Sequence, residues 1–264
     1  VTEKLVDDLV DTVRKQALES IANETLFNEL GLETIRNETA SIEANGYSSR
    51  EVFDQKVTSL KVGRQISICQ KRLVRVLDEA ALSIEHTKKV IRPFIITMHK
   101  FVIAQNTPPN AYALIDVSGE TTEAAGVLKQ DVHTAVTTET GLYTLARTIA
   151  KTTQSPLAEI LSIFRSTEDD RWNRFSTDVQ VTIQEHITAY VTALADTIKR
   201  AEQLADSVPH IYVHTDSGYI DFVTVLLHQA APKKTVHTCN YRLLPEKTEE
   251  DRTLLSSFVF HTER

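Results

Sequence analysis

A turn of small and polar residues after an apolar run is the part of the sequence most able to do chemistry. The run covers residues 111–117 and is broken by Asp116, and it is followed by Ser118, Gly119, Thr121 and Thr122. Loops that hold phosphate groups need glycine, because backbone N–H groups reach phosphate oxygens only where no side chain intervenes. The chain has 7 glycines in 264 residues, so few such loops can form. A plainer interpretation is that Asp116 caps its own turn through nearby amides.

Histidines and carboxylates elsewhere give weaker signals. His210 and His214 share one face of a predicted strand, but no third metal ligand follows at a useful spacing, which favours structural or surface roles. An acidic patch favours a helix start and a solvated loop over paired catalytic carboxylates; its members are Glu159, Glu168, Asp169 and Asp170. The sequence contains no HExxH, GxSxG or Ser-His-Asp order. We therefore predict no catalytic residues.

The composition is that of a packed globular protein, with 41% apolar and 25% charged residues. An excess of 36 acidic over 29 basic side chains gives a formal charge of -7. The chain should therefore repel a phosphate backbone, and no basic patch predicts nucleic-acid binding. The two cysteines, Cys69 and Cys239, lie far apart without a CxxC partner, which indicates a reducing, cytoplasmic compartment. Charged residues interrupt the longest apolar stretch, so we predict no transmembrane segment and at most a peripheral membrane role.

The first hundred residues predict a small α+β unit. Apolar residues recur every fourth position from Leu5 to Ile21, which is typical of an amphipathic helix. Alternating patterns and a turn signal at residues 45–47 predict strands, and Pro93 is placed to open a helix. The predicted elements are a helix over 5–21, strands over 32–44 and 57–68, a helix over 71–82, a short strand over 87–91 and a helix after Pro93.

Residues 106–110 contain Pro108 and Pro109 and form the clearest linker. They predict a boundary between a domain over 1–107 and a domain over 110–264. Three short strands joined by short turns predict an antiparallel meander after the linker. The predicted order is strands over 111–117, 123–129 and 132–138, helices over 142–151 and 156–164 with Ser155 as N-cap, a long helix over 172–205, a strand over 211–214, a helix over 219–227 and an edge strand over 235–242.

The turn after residue 117 resembles the second phosphate loop of the actin-like ATPases. By position Asp116, Gly119, Thr121 and Thr122 match that loop, whereas Ser118 and Glu120 replace two of its glycines. In that family the aspartate orients the hydration shell of a magnesium ion, and the turn amides and threonine hydroxyls face the phosphates. The resemblance implies the same roles here, with Asp116 acting on magnesium indirectly. It also implies that Glu120 places a negative charge beside the phosphates.

The order of the elements resembles the same superfamily more closely than the loop does. Residues 140–150 are similar to its glycine-then-helix segment, and residues 211–220 stand where its adenosine loop lies. That loop carries consecutive glycines in the family, but here Gly218 follows Asp216 and Ser217. The first hundred residues resemble the small inserted subdomain of the FtsA and PilM type. The resemblance implies an α/β fold, an actin-like (ribonuclease H-like) domain preceded by a small α+β subdomain.

The resemblance implies a cytoplasmic scaffold of the FtsA/PilM type that works in a membrane-associated assembly, in cell division or pilus formation. Its partners would be other proteins or further copies of itself, and it would lie at the inner membrane through them. Weak binding of ATP with magnesium, or none, is the expectation for the changed loops. Two alternatives stay open: a working ATPase whose first phosphate loop lies upstream of Val1, and a generic α/β binding module.

Overall fold

The computed structural model describes residues 1–23, 29, 31–45, 47–48, 56–82, 93–105, 108–129, 131–168, 170–203 and 208–239. The chain divides into two compact units, Val1–Phe94 and Ile95–Arg264. This division places most of the helix after Pro93 in the second unit, whereas the sequence analysis placed that helix in the first. Among the described residues, no helix combines the length and the apolar character that crossing a bilayer requires.

The first unit contains a three-stranded antiparallel sheet with strand order β2-β1-β3. Its elements are α1 (Glu3–Asn23), β1 (Leu32–Ala44), β2 (Tyr47–Ser48), β3 (Leu60–Gln70) and α2 (Lys71–Leu82). These confirm the predicted helices and the two long strands, and the strand predicted over 87–91 lies outside the described residues. Asn45 takes a left-handed φ of 53° after β1. Its Oδ1 accepts a hydrogen bond of 2.8 Å from the Thr58 amide, which fixes the turn that the sequence indicated there.

The second unit is built on a five-stranded sheet with strand order β6-β5-β4-β7-β8. Strands β4, β5 and β6 are antiparallel neighbours, and β7 lies parallel to β4 on the other side. This arrangement confirms the predicted meander and the predicted parallel strand. The elements are α3 (Phe94–Gln105), β4 (Ala111–Val117), β5 (Thr122–Leu128), β6 (Asp131–Thr138), α4 (Leu142–Thr153), α5 (Leu157–Arg165), α6 (Thr177–Ala201), β7 (His210–Thr215), α7 (Ile220–Ala230) and β8 (Thr235–Thr238).

The main core of the second unit lies between one face of this sheet and helices α4 to α7. Strand β4 is buried along almost its whole length, which explains why it reads as a nearly continuous apolar run. The sheet residues in this core are Ala113, Ile115, Val117, Ala124, Ile211 and Val213. Helix α6 approaches the sheet most closely at Gly126, where an added Cβ would lie 2.1 Å from the carbonyl oxygen of Ala201. Only glycine fits at that contact.

Three details of the helices differ from the sequence prediction. Helix α5 has Pro156 as its N-cap rather than Ser155. Helix α6 begins at Thr177, so Trp172 precedes it and packs against the core from a turn. The stripe predicted to be buried along α6 is confirmed at its other three positions but is only partly buried at Val191; those three are Ile183, Ile187 and Leu194.

Candidate functional site

The candidate site lies where β4 and β7 end, at one edge of the five-stranded sheet. The two strands are parallel and pair from Ala113 with Ile211 to Val117 with Thr215, so the turns that follow them start side by side. In open α/β sheets, ligands bind beyond the carboxyl ends of the strands. The structure therefore brings the two predicted loops to one place. Residues 118–121 form the first turn, and residues 216–219 form the second.

The first turn is closed by its own hydroxyl groups. The Ser118 hydroxyl donates to the Thr121 carbonyl at 2.8 Å and lies 3.0 Å from the Thr121 hydroxyl. The Thr121 amide donates back to Ser118 Oγ at 3.1 Å, and the Ser118 amide donates to the Thr121 carbonyl at 2.9 Å. A glycine at position 118 could make only the backbone part of this network. The serine that replaces a glycine of the family pattern thus engages the amides that the turn would offer to a ligand.

The start of α4 is joined to the same turn. The amide of Leu142 donates to the Ser118 carbonyl at 2.9 Å, and the amide of Tyr143 donates to the Gly119 carbonyl at 2.7 Å. The first amides of a helix are otherwise available to bind an anion. Their approach requires Gly141, because a Cβ there would lie 2.3 Å from the Gly119 oxygen. The glycine before an apolar helix was visible in the sequence, but its role as a close-approach point was not.

Thr122, which the resemblance placed at the phosphates, is fully buried at the start of β5. Its hydroxyl donates to the Thr140 carbonyl at 2.7 Å. The side chain therefore holds two backbone segments together in this structure. Gly119, Thr121 and Ser118 lie at the turn itself, so the structure brings together the predicted residues of this loop but gives Thr122 a backbone partner.

Asp116 lies in a row of polar side chains that crosses three strands. It is paired in register with Glu123 on β5 and with His214 on β7. Its Oδ1 lies 2.6 Å from His214 Nδ1, and both side chains are buried. Burial raises the pKa of Glu123 to about 7, and the negative charge of Asp116 acts in the same direction. Sequence reasoning missed this row, because it depends on the register of strands that are distant in the chain.

The donor set does not fit a magnesium shell as it stands. Asp116 is the one acidic side chain of the matched loop positions, and its carboxylate already contacts His214. In the ranges that the structure describes, no cluster of three or more histidine, cysteine or acidic side chains could hold a metal ion. The two histidines that share a face, His210 and His214, have separate contacts. His210 Nδ1 lies 2.9 Å from His237 Nε2 on β8.

Glu120 points away from the turn and pairs with Arg147 on α4. The guanidinium donates to both carboxylate oxygens, at 2.9 and 2.6 Å, in the two-pronged geometry that suits arginine and a carboxylate. The hydrogen bond to Arg147 holds the pKa of Glu120 below its ordinary value. The negative charge that the sequence placed beside the phosphates is therefore balanced by a side chain of this unit.

The second turn is closed by Asp216. Its Oδ1 accepts from the Gly218 amide at 2.9 Å, and its carbonyl accepts from the Tyr219 amide at 2.9 Å. Both glycines of the predicted site have side chains of the same unit against them. A Cβ at Gly218 would lie 3.3 Å from Arg165 Nε, and a Cβ at Gly119 would lie 3.1 to 3.3 Å from the ring of Tyr143.

Comparison with known proteins identifies the fold. No protein-family profile matches the sequence, and no curated protein matches it. The structure aligns over 100% of its length with 75% of a chain from the PilM-PilN type IV pilus biogenesis complex, with a TM-score of 0.63 and 11% identity. This chain has the actin-like fold. The α/β class and the actin-like domain expected from the sequence are thereby confirmed.

Two further solved structures resemble the actin-like chain less closely. One is Ta0583, an archaeal actin homolog, with a TM-score of 0.44, 13% identity and coverage of 65% of this chain and 56% of that one. The other is the ethanolamine utilization protein EutJ from Carboxydothermus hydrogenoformans, with a TM-score of 0.38, 18% identity and coverage of 53% and 48%. The chain thus spans about half of the length of these two proteins and three quarters of the PilM-PilN chain.

Proposed function

We propose that this chain is an actin-like scaffold of the FtsA/PilM type in which ATP binding is weakened or lost. It acts through contacts with other proteins in a membrane-associated assembly, in the cytoplasm and at the inner membrane through its partners. The observation that carries the proposal is the closed turn at residues 118–121, whose amides and hydroxyls bond within the chain. The whole-length similarity in fold to a chain of the PilM-PilN complex supports the type.

The amides around the first turn set the expected affinity for nucleotide. A bound ATP needs N–H donors for its phosphate oxygens, and the amides of Ser118, Thr121, Leu142 and Tyr143 already donate within the chain. Each hydrogen bond to a charged oxygen contributes about 1.5 to 3 kcal/mol. The loss of two such bonds weakens binding by about two to four decades. We therefore expect ATP to bind in the high micromolar to millimolar range at best.

Asp116 gives the second reason for weak binding. In an actin-like ATPase the carboxylate at this place orients the magnesium shell, but here it is buried against His214. To serve a metal ion, Asp116 would have to give up this contact and leave His214 buried beside it. Breaking a buried pair carries a large free-energy cost, because one partner is left without compensation. This cost adds to that of the committed amides.

Calorimetric titration with magnesium-ATP tests the proposal, together with an assay of ATP hydrolysis. We expect weak or undetectable binding to the wild type and hydrolysis no faster than background. Asp116→Ala should leave this result unchanged, and so should Asp178→Ala, a matched control at an exposed position in the first turn of α6. A low-micromolar dissociation constant that Asp116→Ala abolishes and Asp178→Ala preserves would overturn the proposal and favour the working ATPase.

The scaffold part of the proposal has its own test. Light scattering over a range of protein concentrations reports whether the chain associates with itself, and magnesium-ATP can be added at each concentration. A scaffold with a closed turn should show the same association with and without nucleotide. Association that requires ATP would contradict this part of the proposal, whatever the calorimetry shows.

A further inference from the structure

Three side chains connect the two closed turns. The first is Tyr143, in the opening turn of α4, whose ring lies directly against Gly119. It also packs against the main core, which includes Tyr219. Tyr219 follows the second turn as the N-cap of α7 and is 2% exposed. A ring that touches the first turn therefore lies beside a buried ring that belongs to the second.

Hydrogen bonds and a ring contact continue the connection to Arg165 at the end of α5. Burial raises the pKa of the Tyr219 hydroxyl, and a hydrogen bond with Tyr143 acts in the same direction. Arg165 Nη2 donates to the Tyr219 hydroxyl at 2.8 Å, and the guanidinium lies 4.8 Å from the centre of the Tyr219 ring. Arg165 Nε is also the atom that a Cβ on Gly218 would meet first. The contacts thus run without a break from Gly119 to Gly218.

We propose that Tyr143, Tyr219 and Arg165 form a clasp that couples the two turns, in the role that a bound nucleotide has in proteins with both loops open. This inference rests on the proposed function. A buried tyrosine needs a hydrogen-bond partner, and Tyr219 takes its partners from the neighbourhoods of both turns. Loosening one turn therefore removes a support of the other. The two turns open together, and they keep one arrangement whether or not nucleotide is present.

Hydrogen exchange followed by mass spectrometry tests the clasp in the full chain. Arg165→Ala removes the contact at the second turn, and Tyr219→Phe removes only the shared hydroxyl, so it preserves the buried ring. We expect Arg165→Ala to raise amide exchange by roughly fivefold to tenfold in peptides covering residues 118–121 as well as in those covering 216–219. Tyr219→Phe should raise exchange in both peptides by a smaller factor.

Arg174→Ala is the matched control, since Arg174 lies in the same neighbourhood, over the ring of Phe175 and paired with Glu159. It should change exchange near residue 174 and leave both turns as they are. If Arg165→Ala and Tyr219→Phe speed exchange only at residues 216–219, the turns are independent and the clasp is wrong. Millimolar magnesium-ATP should leave both turns of the wild type unchanged, and protection of both would likewise overturn the clasp.

The outcomes separate the clasp from the proposed function. Coupled turns together with a low-micromolar ATP affinity would remove the proposed function but support the coupling. Uncoupled turns together with undetectable ATP binding would remove the clasp alone.

Discussion

The two faces of the central strands β4 and β7 are both buried, but they are built from different chemistry. Toward helices α4 to α7 the strands present only apolar side chains, such as Ile115 and Val213. The opposite face carries Asp116 in contact with His214, and Tyr112, whose hydroxyl lies 3.0 Å from His99 Nδ1. The first face is held by volume and exclusion of water, and the second by specific partners. Stability and chemistry are thus separated across a single layer of backbone.

The largest effect is expected on the apolar side. Ile187 lies on α6 and is 5% exposed, so Ile187→Asp places an unpaired charge in the core. We expect a loss of about 3 to 5 kcal/mol in the free energy of unfolding, measured by urea denaturation. Val181→Asp is the control on the same helix, at a position that is 55% exposed, and should change stability by less than about 0.5 kcal/mol. Equal effects of the two substitutions would contradict the assigned face of α6.

On the polar side we expect a smaller effect that depends on pH. Burial and the charge of Asp116 raise the pKa of Glu123 from 4.5 to about 7. A raised pKa means that the contribution of Glu123 is fully present below pH 4.5 and is lost as pH rises through about 7. Glu123→Gln should remove this loss, which makes the variant more stable than the wild type by about 2 to 3 kcal/mol at high pH.

Urea unfolding of both proteins at a series of pH values measures this difference. The gain should shrink as pH falls, and Glu139→Gln, at an exposed position after β6, serves as the control for the same chemical change. A gain for Glu123→Gln that is constant from acidic to alkaline pH would show that ionisation of Glu123 is not its cause.

The smallest effect is expected at the rim, where Arg147 pairs with Glu120. Both side chains are exposed, and exposed ion pairs contribute little to stability because solvent screens them. Arg147→Ala should therefore leave the melting temperature unchanged within error. It should also raise the pKa of Glu120 toward its ordinary value, since the hydrogen bond to Arg147 is the main cause of the lowering. Thermal unfolding and an NMR titration of the Glu120 carboxyl measure the two effects, and a large drop in melting temperature would mean that this pair holds the turn closed.

The apolar face was predictable from the sequence because its signal is local. The bounds of β4 and α2 match their predicted ranges, since each is defined by a periodic run of residues with turn or linker signals beside it. The long helix was placed too early at Trp172, because an aromatic residue packed on the core from a turn continues the helical spacing of apolar residues. The α5 cap was misassigned because Ser155 and Pro156 are both common at helix starts.

The polar face and the closed site were not predictable to the same degree. The contact between Asp116 and His214 joins residues 98 positions apart, and a shift of one residue in the β4-β7 register would abolish it. The ring of Tyr143 against Gly119 depends on how α4 meets the turn, which Gly141 permits but does not encode as a pattern. The sequence could show which glycines were missing. It could not show that tyrosine and arginine side chains lie against those that are present.

The bond between α4 and the first turn has a consequence for timing. A helix start reports the arrival or loss of a phosphate group only if its first amides can change partners, and here Leu142 and Tyr143 already donate to the turn. The region then behaves as a fixed bracket rather than as a clock driven by hydrolysis. In an assembly built on such a bracket, the order of events would be set by when and where the partner proteins are made.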